Sequence, residues 1–183
     1  MKSSGSEGQG SKVDEVLIVD GYNLLHAWPE MVGYAQENLE DARLKLLDLL
    51  ADYQGYKGNR IFVVFDAHRV KGGYEKLESH GALQVIYTGE GDTADSVIER
   101  LVGELVGQSR VFVATSDYDQ QKIIFGRGAY RISARELIIE LKDVKKEIEE
   151  ILYKHHYPLN RREVASQIDE KTRQILEKWR RQK

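Results

Sequence analysis

The chain contains no cysteine, which excludes a disulfide framework, a thiolate metal centre and a cysteine nucleophile, and is compatible with a reducing compartment. It also lacks any apolar run near the ~18 residues that a membrane span requires. No basic segment is followed by the apolar stretch of a secretory signal. No membrane partner is therefore expected, and no internal repeat is evident. What remains is a chain of 183 residues, suited to one domain with an appendage and long enough to bury roughly two thirds of its unfolded surface.

The net charge of −3 is unevenly spread. Residues 142–183 carry 12 Lys+Arg against 8 Asp+Glu, a surplus of +4, which leaves residues 1–141 at −7. An acidic body holds a polyanion only through metal ions or local basic patches, whereas the basic tail can touch phosphates directly or simply present a solvated helical face.

Residues 1–12 are rich in glycine and serine, lack an apolar residue after Met1 and read as a disordered leader or an artificial remnant. Apolar, strand-like runs follow at 16–19, 60–65, 83–87 and 110–114, separated by segments of helical periodicity. Runs without alternation indicate strands covered on both faces, hence a mainly parallel central sheet flanked by helices: an α/β, three-layer architecture. The spacing of Leu39, Ala42, Leu46, Leu49, Leu50 and Tyr53 predicts a helix over 38–53, ended by Gly55 and Gly58. That of Val97, Ile98, Leu101, Val102 and Leu105 predicts another over 93–106. Ser133 and Glu136 form a capping-box pattern opening a long helix with a heptad-like stripe through Ile151. Tyr157-Pro158 interrupts it, and Val164, Ile168, Ile175 and Trp179 mark a further helix over 161–180. The expected divisions are the leader at 1–12, the α/β domain at 13–141 and a C-terminal helical extension at 142–183, packed on the domain.

The chemistry is concentrated at the strand ends. Asp20 and Asn23 lie in Val19-Asp20-Gly21-Tyr22-Asn23, where the first apolar run gives way to a turn. Asp66 follows the second run, Asp95 stands at the start of the 93–106 helix, and Asp117 and Asp119 follow the fourth. A single aspartate in such a place is more often a helix cap or turn residue. Repetition at several strand ends points instead to carboxylates converging on one point at the sheet's C-terminal edge. Without a cation they would raise one another's pKa, and oxygen donors of this kind suit Mg²⁺ or Mn²⁺. A site like this hydrolyses phosphodiesters without a protein nucleophile, with Asn23 orienting water or a phosphate oxygen through its amide. No Ser-His-Asp or Cys-His set competes with this reading.

Basic and aromatic residues surround these positions. The segment from His68 to Lys76, which includes Arg69 and Lys71, is basic, glycine-broken and aromatic, as a loop clamping a phosphate backbone would be, or else a solvated connection. Lys122, Arg127 and Arg131 can line the same edge or cap helices. Tyr22 and Tyr118, beside the carboxylates, can stack on bases or pack half-buried.

Taken in this order and spacing, Val19-Asp20-Gly21-Tyr22-Asn23, Val64-Phe65-Asp66-Ala67-His68, Thr93-Ala94-Asp95, Ala114-Thr115-Ser116-Asp117-Tyr118, Ser133-Ala134-Arg135-Glu136-Leu137 and Glu177-Lys178-Trp179-Arg180-Arg181 resemble the NYN-domain branch of the PIN-like nuclease superfamily. Within it the chain is most similar to the YacP-like family, which includes ribosome-associated endoribonucleases, over residues 16–181. The resemblance implies a PIN-like (NYN) domain. It implies Asp20, Asp95 and Asp117 as cation ligands with Asp119 beside them, and Asp66 and Asn23 as supporting catalytic residues. It further implies mRNA as substrate and the ribosome as partner; the basic loop at Lys71 and the tail at Arg180 are then the candidates for docking. A monomer in a bacterial cytoplasm, or in a chloroplast stroma after removal of a transit peptide, is the accompanying expectation.

Three other classes compete with this one. A ribosome- or RNA-binding factor with a non-catalytic PIN-like site would share every motif and differ only in cutting nothing. A phosphoacceptor receiver domain also places aspartates at strand ends, but the Asp20 turn is not an acidic pair. A haloacid-dehalogenase-type phosphatase would need Asp-x-Asp where this chain has Asp20-Gly21-Tyr22.

Overall fold

The computed structural model describes residues 14–66, 74–116, 124 and 126–156. Among these residues six strands form one sheet: β1 (Glu15–Asp20), β2 (Arg60–Phe65), β3 (Lys76–His80), β4 (Leu83–Tyr87), β5 (Arg110–Ala114) and β6 (Tyr130–Ile132). Among the described residues five helices accompany them: α1 (Gly21–Ala27), α2 (Pro29–Glu37), α3 (Leu39–Lys57), α4 (Ala94–Leu105) and α5 (Ala134–His156). The strand order is β3-β4-β2-β1-β5-β6. Every pairing is parallel except that of β3 with β4. The α/β class with a mainly parallel central sheet, expected from the unbroken apolar runs, is thus present.

The central strands are buried because both faces are covered. Val16 and Ile18 of β1 join Phe62, Val64, Val111 and Val113 against Val97, Ile98, Leu101 and Val102 of α4. Alternation sends Leu17 and Val19 to the other face, and both are buried too. Each such side chain stabilises the fold by roughly 1.5–3 kcal/mol on burial.

The chain leaves β1 through two short helices. Asp20 caps α1, accepting from the Asn23 backbone N–H at 3.0 Å, and Pro29 opens α2 where a missing N–H costs nothing. Asn38 caps α3 by accepting from the N–H groups of Glu40 and Asp41. The helix continues through Gly55 and stops at Gly58, whose φ of 73° closes the last turn in the left-handed conformation. Thr93 and Ser96 make a reciprocal capping box on α4. Ser133 and Glu136 make another on α5, with the Ser133 N–H donating to Glu136 Oε2 at 2.8 Å and the Glu136 N–H donating to Ser133 Oγ at 3.2 Å. Tyr53 ties α3 to α5 by donating its hydroxyl to Glu140 Oε2 at 2.7 Å, and Lys142 ties α5 to α2 through Glu30 at 2.5 Å.

Two strands depart from the apolar-run expectation. β3 is a polar, largely exposed edge strand (Lys-Leu-Glu-Ser-His) and β6 spans three residues, so neither carries an apolar signature.

The chain divides into two compact units, Met1–Lys145 and Lys146–Lys183. The described part of the second, 146–156, is helical and leaves Ile151, Leu152 and Tyr153 exposed. The leader at 1–12, the break at Tyr157-Pro158 and the stripe from Val164 to Trp179 lie outside the described residues. Among the described residues no helix is long and apolar enough to cross a membrane.

Candidate active site

The sheet sets the place of the site. From β1 the chain moves to β2 on one side and later returns to β5 on the other, so β1 is the point where the winding reverses. Ligands of open α/β sheets bind beyond the C-terminal strand ends at such a point. Val19 pairs with Ala114 and Asp20 with Val64, so Asp20 and Thr115 leave the sheet side by side and Asp66 emerges just beyond.

Asp20 is partly buried, and burial pushes its carboxyl above the ordinary value of 3.8. The carboxylates of Asp95 and Asp66 push the same way, while the backbone N–H groups of Asn23 and Tyr22 oppose them. Charges carried by Asp66 and by Asp95, far along the sequence, therefore reach Asp20 at this edge. Asp95 lies in the first turn of α4, where the helix dipole favours a negative charge. Asp66 follows β2 and accepts from the hydroxyl of the buried Thr88 at 3.4 Å. The Thr88 N–H in turn donates to the Phe65 carbonyl at 3.0 Å, so one residue after β4 holds both the strand end and the acid beyond it.

Asn23 has a role in the structure that residue type alone does not reveal. Its Oδ1 accepts from the backbone N–H of Ser116 at 3.2 Å. A backbone N–H can only donate, which fixes which end of the amide faces β5. Asn23 thus staples the turn after β1 to the residue immediately preceding Asp117.

Tyr22 is half-buried, its ring edge-on to Phe65 with centroids 5.2 Å apart and an interplanar angle of 67°. Phe65 stacks on Tyr87 at 5.7 Å. Arg43, from the second turn of α3, lies 5.8 Å over the Tyr87 ring and donates from Nη1 to the Tyr22 hydroxyl at 3.3 Å. Sequence reading missed Arg43, Tyr87 and Thr88. Tyr87-Thr88-Gly89 leaves a strand as Asp20-Gly21 does, and that was the available signal.

Arg127 pairs with Glu99 at 3.7 Å and reaches toward Gly103, one and two turns along α4 from Asp95. Arg131 is exposed on β6, in register with Val113. Arg69, Lys71, Asp117, Tyr118, Asp119, Lys122 and Arg180 lie outside the described residues. Among the described residues no group of three His, Cys, Asp or Glu side chains is arranged to hold a metal ion. The donors at the edge are oxygens, the kind a hard cation takes; the Asp20 carboxyl is raised chiefly by its burial, with the charges of Asp95 and Asp66 adding to it.

Comparison with known proteins agrees with this geometry. The family model described as "YacP-like NYN domain" matches residues 17–181. The uncharacterized protein YacP of Bacillus subtilis strain 168 is 42% identical over 168 residues, covering 91% of this chain and 97% of that protein. The crystal structure of Rae1 (YacP) from Bacillus subtilis superposes with a TM-score of 0.67 at 41% identity, over 91% of this chain and 94% of that one. A point variant of the same protein superposes with a TM-score of 0.66 at 42% identity, over 77% and 82%. With its strand order, its Asp20 turn and a match across nearly its whole length, the chain belongs to the YacP-like NYN domain family, whose function is nuclease-type and RNA-related.

Proposed function

We propose that this protein is a metal-dependent endoribonuclease that cuts mRNA in association with the translating ribosome. The observation that carries the reading is the placement of Asp20 at the winding reversal of the sheet, with Asp66 directly after β2 and Asp95 in the first turn of α4 near enough for their charges to act on it. Asp20, Asp95 and Asp117, with Asp119 beside them, would hold Mg²⁺ or Mn²⁺. When bound, such a cation neutralises charge on the scissile phosphate and activates water for attack. The chain's own residues do the positioning. Thr88 orients Asp66, and Asn23 holds the backbone of Ser116, the residue before Asp117 in the sequence.

Tyr22, Arg69, Lys71, Tyr118, Lys122, Arg127 and Arg131 are the proposed RNA contacts. A site that grips phosphates reads little sequence; specificity then comes from a partner, and the ribosome supplies it by presenting mRNA in a fixed place, docked through Lys71 and Arg180. The helical extension at 142–183 would serve that docking, and the protein works as a monomer. The bacterial relatives favour the cytoplasm over a chloroplast stroma.

The test is cleavage of one mRNA, naked and during active translation, by wild type and Asp95→Asn. Cuts confined to translation and lost in the variant support the full reading. Cuts in naked RNA as well leave a freestanding nuclease, and no cut in either condition replaces the enzyme with an RNA- or ribosome-binding factor.

A further inference from the structure

The three carboxylates at the edge of the sheet repel a polyanion, so an RNA strand approaching them needs a cation fixed close by. Arg43 is placed for that task. It stands on α3, which returns the chain from the C-terminal end of β1 to the start of β2, so its early turns lie at the same edge as Asp20. Its guanidinium is fixed from two sides by the Tyr87 ring and the Tyr22 hydroxyl. Both tyrosines are in turn held by Phe65, the last residue of β2. Tyr22 is two positions from Asp20 and one from Asn23, so whatever Arg43 binds is seated against the turn that carries the acid.

We propose that Arg43 grips a phosphate of the RNA strand beside the Asp20 turn, from a platform made by Tyr22, Phe65 and Tyr87. The inference rests on the endoribonuclease reading and extends it to how the substrate is seated. Guanidinium has five N–H donors in a planar fork matched to phosphate oxygens. In this structure Nη1 serves Tyr22 and Nη2 serves Glu40 at 3.0 Å. The Glu40 side chain is 72% exposed against 22% for Arg43. An acid that exposed is held weakly and yields to a phosphate, whereas the tyrosine side of the platform stays. Lysine substitutes only for the charge: it has neither the fork nor the flat face that lies over Tyr87.

The experiment measures binding of a fluorescent single-stranded oligoribonucleotide in EDTA, where nothing is cut, as a function of salt. Wild type is compared with Arg43→Gln, Arg43→Lys and Tyr22→Phe, with thermal unfolding recorded for each. Neutralising one phosphate on a single strand contributes roughly 0.7 to the slope of log affinity against log salt. Arg43→Gln is expected to lower the slope by about that amount and to weaken binding about tenfold. Arg43→Lys should keep the slope while losing several-fold in affinity, and Tyr22→Phe should weaken binding with no change in slope. A residue that only packs α3 would alter stability and leave the slope where it was.

Wild-type slope and affinity in Arg43→Gln overturn the proposal, as does absence of RNA binding by the wild type. Should Arg43→Gln fail to fold, wild-type affinity in Arg43→Lys overturns it instead. Cleavage is scored separately with Asp95→Asn. An unaltered slope beside cleavage that still depends on Asp95 removes Arg43 and leaves the nuclease standing. RNA binding that depends on Arg43 with no cleavage at all removes the nuclease and leaves an RNA-binding site.

Discussion

The ring of Phe65 fills the space where any side chain on residue 21 would begin: a Cβ built on Gly21 would lie 2.3 Å from Phe65 Cε1 and 2.6 Å from Cδ1. Gly21 therefore stands in the Asp20-Gly21-Tyr22-Asn23 turn because the last side chain of β2 packs against its bare backbone, not for a left-handed φ, since it opens α1. The contact sets the height at which α1 leaves the sheet, and with it the positions of Asp20 and Asn23.

Gly21→Ala should consequently destabilise the protein by about 1–3 kcal/mol, the usual cost of forcing an atom into a packed interior. Phe65→Leu on its own should cost stability by loosening the Tyr22 and Tyr87 contacts. The two together should cost less than their sum, because the smaller residue makes room for the methyl group. Denaturant unfolding of the four proteins in the cycle checks this. Strict additivity would mean that the ring moves aside without resistance.

Asp20 has an electrostatic consequence of definite sign. Burial, then the charges of Asp95 and Asp66, hold its carboxyl above 3.8 in the fold. The folded state therefore retains a proton that the unfolded chain releases, and stability falls as pH rises through the window above 3.8. Asparagine caps a helix as well as aspartate does. In EDTA, Asp20→Asn should then be more stable than wild type near pH 7, with the difference shrinking as pH is lowered toward about 3.5. Chemical unfolding across that range decides the matter, and a variant less stable at neutral pH would show that the cap outweighs the repulsion. The same variant should have lost cleavage.

The central strands were legible because a parallel sheet covered on both faces needs unbroken apolar segments, and 16–19, 60–65, 83–87 and 110–114 all fall within strands. The helix expected over 93–106 closely matches Ala94–Leu105, while that expected over 38–53 runs on to Lys57 because Gly55 is accommodated within it. β3 was not legible: an exposed edge strand has no face to bury. α1 and α2 are too short for periodicity to register, and their bounds come from Asp20 and Pro29. At the site, carboxylates announce themselves by residue type after a strand. Arg43, Tyr87 and Thr88 do not, because what each does depends on a partner that only the fold brings near.

The staple between Asn23 and Ser116 separates geometry from charge. Asn23→Ala leaves the Ser116 N–H without its acceptor, which should cost on the order of 1 kcal/mol of stability. The loss of cleavage should be larger than that change alone explains, at least tenfold, because the backbone leading into Asp117 loses its fixed position. Hydrogen exchange at the Ser116 amide should accelerate in the variant. An unchanged exchange rate would show that the strand end is held by other means.

Away from the site, Tyr53 and Glu140 join α3 to α5 through a hydrogen bond of 2.7 Å. Burial of the phenol, followed by the hydrogen bond to Glu140 and that acid's charge, raises the Tyr53 pKa well above its ordinary value of 10. A raised folded value means that the contribution is complete below pH 10 and disappears as the pH climbs toward the folded pKa. Tyr53→Phe should cost about 1 kcal/mol at neutral pH, the net worth of one hydrogen bond plus the acceptor left unserved. That gap between wild type and variant should stay constant up to about pH 10 and narrow above it. Unfolding midpoints measured from about pH 7 to about pH 11 test both statements. A gap that stayed constant or widened above about pH 10 would show that the phenol does not carry the pH dependence.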